Sequence, residues 1–127
     1  MLRATRQLLR PGGKTGFYTI LPVDDLSGAD YLRAIRCGPR AVSTRRRSHE
    51  EILRAAGFVH VRSLDVTAEW RQTTEQFIAE LDRLAAPLAD IMGRDDLQDR
   101  QRSLRRSLEA IEEHLLERKL FTASRPA

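Results

Sequence analysis

The sequence lacks most of the features that mark secreted or membrane-spanning proteins. Among its 127 residues there is one cysteine, Cys37, so an internal disulfide is excluded and a cytoplasmic location is predicted. No apolar run approaches the roughly 20 residues of a membrane-spanning helix, and the N-terminal residues lack the apolar stretch of a secretory signal. The composition, 41% hydrophobic and 31% charged, is typical of one small globular domain with its own core.

Patterns that carry catalysis or metal binding are equally scarce. The three histidines, His49, His60 and His114, are too far apart in sequence for metal-ligand spacing. Cys37 has no base near it in sequence, which favours an inert thiol over a nucleophile. No nucleophile triad, phosphate-binding loop or pair of carboxylates stands out. The sequence therefore assigns neither a catalytic residue nor a metal site.

The charge is basic, but it is not one-sided. Lys and Arg number 22 against 18 Asp and Glu, which gives a net charge of +4. The run of Arg45, Arg46 and Arg47 is one place where a phosphate or carboxylate would bind. Because acidic residues alternate with the basic ones and no predicted helix is basic on one side only, we interpret the run as a solvated loop. A nucleic-acid partner is accordingly ranked last.

The hydrophobic pattern predicts helices that alternate with short strands. A capping box at Ser48 and Glu51 marks one helix start, and Pro87 is expected to kink or split a long helix. The predicted helices span residues 2–10, 28–37, 48–56, 68–92 and 96–118. The predicted strands span residues 15–21, 58–66 and 120–124. The two long helices carry facing apolar stripes and a short connection, which predicts an antiparallel hairpin.

The stretch around Pro11 organises the rest of the chain. Proline ends the first helix, and Gly12 and Gly13 allow the positive φ angles of a sharp turn. The apolar run Thr15–Leu21 then has the composition of a covered strand. A helix that leads directly into such a strand is one step of a layered α/β sheet.

This stretch and two later ones resemble a known family. Leu8-Leu9-Arg10-Pro11-Gly12-Gly13-Lys14 resembles the segment before the fifth strand of class I, Rossmann-like S-adenosylmethionine-dependent methyltransferases, of the type 11-like group. Glu51–Val61 is similar to that family's next helix, "AGF" turn and sixth strand, and Leu120–Pro126 to its seventh strand. The resemblance implies an α+β fold equivalent to the C-terminal half of the family. It implies a three-stranded mixed sheet in the order first, third, second, with the third strand antiparallel to both others, flanked by helices and the helical hairpin.

The resemblance also implies methyl transfer to an unidentified small molecule with S-adenosylmethionine as cofactor. The family holds that cofactor on a glycine-rich turn after its first strand and an acidic residue after its second. Neither feature precedes Leu8, so no cofactor-binding residue is assigned, and the chain is expected to be truncated and inactive alone. The substrate-facing residues are expected at the carboxyl ends of the strands and on the helices above them: Thr19, Pro22, Tyr31 and Trp70. The alternative for Tyr31 and Trp70 is ordinary helix packing.

A single domain of residues 1–127 is expected, with residues 1–67 and 119–127 forming the sheet and its helices. Residues 68–118 would form a hairpin insertion or lid. In the family's topology Thr15–Leu21 is the strand that a missing neighbour would pair with, so its free edge is expected to favour self-association or a complementing chain. The alternative function is therefore a non-catalytic interaction or assembly module that uses the hairpin and this edge.

Overall fold

The computed structural model describes residues 1–39 and 47–127. In this part of the chain six helices and three strands follow one another. In chain order they are α1 (Leu2–Leu8), β1 (Lys14–Pro22), α2 (Gly28–Cys37), α3 (His49–Ala55), β2 (Val59–Asp65), α4 (Thr67–Arg83), α5 (Ala85–Met92), α6 (Arg94–Glu112) and β3 (Leu116–Ser124). Arg45 and Arg46 of the basic run lie outside the described residues. No helix within the described ranges is long and apolar enough to cross a membrane.

The strand order is β1-β3-β2, which confirms the predicted order. The nine residues of β1 pair with the nine of β3 without interruption, from Lys14 opposite Ser124 to Pro22 opposite Leu116. On its other side β3 pairs with β2, and both pairings are antiparallel, so the outer strands run in the same direction. The register with β2 shifts between Val59 and Arg62, which marks a bulge or irregularity in the pairing.

Several element boundaries follow from the residues that the sequence singled out. The Ser48 hydroxyl accepts a hydrogen bond from the Glu51 amide at 3.2 Å and so caps α3, as predicted. Gly12 has a φ of 76°, a conformation that glycine adopts without strain, in the turn between α1 and β1. The long helix predicted over residues 68–92 is split at Leu84, one turn before Pro87, because proline cannot donate the interior helical hydrogen bond.

The two faces of the sheet pack against different elements. The first, which we call the inner face, carries Phe17, Lys119 and Phe121 and packs against α1 and α3 around the fully buried Leu53. The opposite face is covered at one end only. There Leu116 and Ile20 pack against α2, α4 and α6 in a second core. Its members are Ala34, Trp70, Ala110, Ile111, Leu115 and Leu116.

The predicted boundary between the last helix and the last strand was wrong. The last helix ends at Glu112 rather than residue 118, because His114 takes a φ of 58° and the Leu115 amide donates back to the Ala110 carbonyl at 2.8 Å. The following strand therefore begins at Leu116, four residues early, and matches β1 in length. Leu8, the last residue of α1, is 89% exposed. In α2 the buried residue is Ala34, whereas Tyr31 and Leu32 are exposed.

Candidate functional site

A groove of about 810 Å³ lies at the carboxyl end of β1. One wall is the loop that follows the strand, from Leu21 to Leu26, together with Tyr31 of α2. The other wall is the start of α3, at Ser48–Glu50, and Lys119 and Phe121 of β3 reach the groove from below. Ligands of open α/β sheets bind beyond the carboxyl ends of the strands, so the groove occupies the expected end of the sheet.

Helix starts fix both walls. The Ser27 hydroxyl accepts from the Asp30 amide at 3.2 Å, which begins α2 and carries Tyr31 to the groove. Ser48 does the same for α3 and thereby places His49 over the sheet. The chain enters α2 through a turn at Asp25, whose φ is 64°. The walls are therefore held by local hydrogen bonds.

An aromatic cluster forms the apolar part of the floor. The rings of Phe17 and Phe121 are stacked with centroids 5.5 Å apart, as their direct pairing across β1 and β3 requires. The His49 ring stacks on Phe121 at 5.0 Å and lies 6.3 Å from Phe17. His49 is half-buried in this stack. Of the three rings, those of His49 and Phe121 line the groove, and Phe17 packs against both without lining it.

A charged cluster adjoins the rings on the same face. Lys119 stands opposite Thr19 of β1 and Asp65 of β2, and its ammonium lies 3.4 Å from Glu117 Oε1. Burial raises the pKa of Glu117, because its side chain is 15% exposed and no donor with hydrogen-bond geometry reaches its buried Oε1 within the described residues. The pKa of Asp65 is lowered, because its carboxylate accepts bonds from the Thr67 hydroxyl at 2.5 Å and the Thr67 amide at 2.9 Å. Those two bonds also help to start α4.

The groove therefore joins an apolar surface to charged groups of both signs. Asp24, Asp25 and Glu50 stand along its walls, and Lys119 lies at its base. Such a site holds a small molecule by apolar contact and orients its polar atoms by hydrogen bonds. Of the three carboxylates, Asp24 is near enough to Glu117 to help raise the pKa of that group.

The four residues predicted to face the substrate fall in three different places. Pro22 and Tyr31 line the groove. Thr19 lies on the inner face beside Lys119 without lining the groove. Trp70 is 9% exposed and belongs to the core with Ala34 and Ile111. This agrees with the alternative interpretation of Trp70 as an ordinary helix-packing residue.

Sequence reasoning missed the groove residues His49, Lys119 and Phe121. His49 was considered only as a candidate metal ligand, which its distance in sequence from the other histidines disfavours. Lys119 was assigned to the connection after the last helix, because that helix was predicted to extend to residue 118. The available signal was the pair Phe17 and Phe121, since two aromatic residues on strands predicted to pair are able to face each other.

No family model and no curated protein matches the sequence, whereas solved structures match nearly the whole chain. The chain superposes on Haemonchus contortus phosphoethanolamine N-methyltransferase 2 with a TM-score of 0.83 at 13% identity, over 99% of this chain and 29% of that one. It superposes on a Mycobacterium tuberculosis cyclopropane synthase with a TM-score of 0.79 at 15% identity, over 98% of this chain and 48% of that one. The chain has a class I S-adenosylmethionine-dependent methyltransferase fold. It spans less than half the length of both proteins.

The fold does not by itself select a reaction. The chain also superposes on a [4+2]-cyclase with a TM-score of 0.61 at 23% identity, over 99% of this chain and 43% of that one. The matched proteins therefore include a methyltransferase, a cyclopropane synthase and a cyclase. Phosphoethanolamine N-methyltransferase 2 was solved with S-adenosylmethionine and with S-adenosylhomocysteine, and a mycolic acid cyclopropane synthase with S-adenosylhomocysteine. S-Adenosylmethionine is therefore the cofactor of this class of fold.

The described residues do not fit the cofactor cradle of the class. That cradle needs a glycine-rich turn directly after a strand. Here β1 continues into Val23–Asp25, β2 into Val66 and Thr67, and β3 into Arg125 and Pro126. The glycine pair Gly12 and Gly13 precedes a strand instead of following one. The strand ends of the described part of the chain therefore offer the cofactor no cradle of the kind that the class uses.

Proposed function

We propose that this chain supplies the acceptor-binding wall of a small-molecule methyltransferase that uses S-adenosylmethionine. The observation that carries the proposal is the groove at the carboxyl end of β1, in a fold whose solved members bind that cofactor. Methyl transfer requires mainly alignment of donor and acceptor, so the absence of a nucleophile pair is consistent with this chemistry.

In this proposal Pro22, Tyr31 and the aromatic floor hold the acceptor. Thr19 and Lys119 lie beside that position on the inner face. The helical hairpin of α4, α5 and α6 acts as a lid or insertion next to the sheet, and Trp70 anchors it to the core. The cofactor cradle is not among these residues, so the chain is inactive alone. Its site of action is the cytoplasm, consistent with a single cysteine.

The groove assignment is tested by a small-molecule NMR screen of the intact chain with amines, phenols and carboxylates. We expect binding to shift the signals of Pro22, Tyr31 and Phe121, and replacement Tyr31→Ala to weaken it by roughly tenfold, since the ring contributes about 1.4 kcal/mol of contact. The matched control is Leu32→Ala, because Leu32 is 60% exposed on the same helix and does not line the groove. Shifts confined to the hairpin, or equal effects of both variants, would contradict the assignment.

A second candidate is a non-catalytic assembly module. It is favoured by the free edge of β1 and by an exposed stripe on the hairpin, where Phe77, Leu84 and Ile91 recur every seven residues at 46%, 36% and 83% exposure. Sedimentation over a wide concentration range tests self-association through these surfaces. A monomer at all concentrations would leave only a complementing chain as the partner of the edge.

A further inference from the structure

The helical hairpin leaves one apolar stripe uncovered. Phe77 of α4, Leu84 at the joint between α4 and α5, and Ile91 of α5 are 46%, 36% and 83% exposed. They recur every seven residues, which is about two helical turns, so they lie along one side of the hairpin over about 21 Å. We call these three residues the hairpin stripe. Helical hydrogen bonds cross the joint, where the Leu84 amide donates to the Glu80 carbonyl at 2.9 Å and the Leu88 amide to the Leu84 carbonyl at 3.0 Å.

The hairpin stripe is symmetric about Leu84. Because Phe77 and Ile91 are equally far from it in sequence, a second hairpin turned end for end places Phe77 of one copy opposite Ile91 of the other. The residues beside the stripe obey the same rule, since Leu81, which is partly buried, comes opposite the exposed Pro87 of the other copy. A two-fold contact has to be self-complementary in this way. An unrelated segment has no reason to match the spacing on both sides of Leu84.

The charges around the centre of the hairpin stripe allow two copies to approach each other. Glu80, one turn before Leu84, pairs with Arg83 of the same helix at 2.7 Å. The Asp82 carboxylate pairs with Arg105 of α6, also at 2.7 Å. Each of these carboxylates is thus compensated within its own copy. Packing two hairpins about Leu84 therefore does not bring two uncompensated carboxylates together at the centre of the contact.

We propose that the hairpin stripe is the two-fold contact of a homodimer in which two hairpins pack antiparallel. Leu84 lies at the two-fold axis, and Phe77 of each copy packs against Ile91 of the other. Because a contact of this size lies at or below the roughly 800 Å² per partner of a typical stable interface, we expect a dimer that dissociates on dilution. The proposal rests on the second candidate function, for which it names the partner and the surface, and does not depend on what the groove binds.

A lipid surface is the other apolar phase into which an exposed helical stripe inserts. Helices that lie on membranes are rich in Lys and Arg on their polar face, which attract anionic lipids. The two basic residues of α4 and α5, Arg71 and Arg83, already pair with Glu75 at 3.2 Å and with Glu80 at 2.7 Å. These two helices therefore offer no uncompensated cation to lipid headgroups, and their chemistry favours a second copy of the hairpin.

The test is disulfide trapping at the hairpin stripe, in a chain whose native thiol is removed by Cys37→Ser. Leu84→Cys should cross-link to itself, because a disulfide needs Cα atoms within about 7 Å and the two-fold axis brings the two positions together. Phe77→Cys should not cross-link to itself, but its equimolar mixture with Ile91→Cys should give the mixed dimer. Leu32→Cys, at a position 60% exposed on α2, is the control for random collision.

Sedimentation of the unmodified chain provides the second readout. We expect a monomer–dimer equilibrium that Ile91→Glu weakens by at least about tenfold, because it buries a charge in an apolar contact, and that Leu32→Glu leaves unchanged. A monomer at all concentrations, equal cross-linking at positions 84 and 32, or self-cross-linking of Phe77→Cys would overturn the proposal. A dimer that Ile91→Glu leaves intact, with uniformly slow amide exchange along β1, would assign self-association to the β1 edge. Co-sedimentation of a monomer with phosphatidylglycerol vesicles would assign the stripe to a lipid surface. Small-molecule binding at the groove is measured separately, so its failure leaves these readouts unaffected.

Discussion

At the scale of single residues, Arg125 joins the C-terminus of the chain to its first helix. Its Nη1 donates to the Leu9 carbonyl at 2.5 Å and lies 3.4 Å from the carbonyls of Arg6 and Gln7, at the C-terminal end of α1. A cation there satisfies carbonyls that no helical amide reaches and interacts favourably with the helix dipole. Neither this contact nor its partner could be predicted from sequence, because 116 positions separate Arg125 from Leu9.

We expect Arg125→Met to lower the free energy of unfolding by about 1 to 2 kcal/mol, since it removes charge-assisted hydrogen bonds and keeps the apolar stem. Urea unfolding followed by circular dichroism measures the change. Arg100→Met is the control, because Arg100 is an exposed helical residue without a described partner. Equal midpoints for the two variants would show that the contact does not stabilise the fold.

Glu117, in contrast to Arg125, is expected to lower the stability of the folded chain at neutral pH. Burial raises its pKa, so the folded chain binds a proton more tightly than the unfolded chain does. Stability is therefore lost as the pH rises from the ordinary carboxyl pKa, about 4.3, through the raised value. We expect Glu117→Gln to be more stable than the parent chain at pH 7 and equal to it below pH of about 4.

Urea unfolding over that pH range tests the expectation, with Glu109→Gln on the exposed surface of α6 as control. A variant that is less stable than the parent chain at pH 7 would show that the 3.4 Å contact with Lys119 outweighs the cost of burying the carboxylate.

At the scale of elements, local signals and long-range packing differ in how well the sequence reveals them. The caps at Ser27 and Ser48 and the break near Pro87 depend on residues a few positions apart, so their patterns are visible in the sequence. The start of β3 is not visible in this way. Leu115 and Leu116 continue the apolar spacing of α6, and only the turn at His114 and pairing with β1 make residues 116–119 a strand.

The β1 edge yields a prediction at this scale. The amides of Thr15, Phe17 and Thr19 bond to β3, whereas those of Gly16, Tyr18 and Ile20 face outward. In the isolated chain we expect the first group to exchange hydrogen at least about tenfold more slowly than the second, because only bonded amides require opening of the sheet. Exchange measured by NMR residue by residue would show alternation along the strand. Uniformly slow exchange would mean that the edge is already paired.

At the scale of the whole molecule, the two faces of the sheet differ in how far the described residues cover them. The inner face and the carboxyl end of β1 form a groove between elements that this chain supplies itself. Within the described residues no strand pairs with the outer edge of β1, and on the opposite face Tyr18 and Leu64 are 57% and 60% exposed. The resemblance to the methyltransferase class predicted the strand order correctly, because it depends on short motifs at strand and turn positions that are visible in the sequence. It predicted Pro22 and Tyr31 of the groove but not Lys119 and Phe121, because their position there depends on the pairing of β1 with a strand about 100 positions away.

The last prediction at this scale concerns the cofactor. The class holds its cofactor on a glycine-rich turn after a strand, and none of the turns after β1, β2 and β3 has that composition. A calorimetric titration of the isolated chain with S-adenosylmethionine should therefore give no saturable binding in the micromolar range. The alternating exchange pattern of β1, measured on the same sample, is the control that the chain is folded. Micromolar binding that Tyr31→Ala abolishes and Leu32→Ala preserves would mean that the cofactor itself occupies the groove, and the acceptor would then have to bind elsewhere.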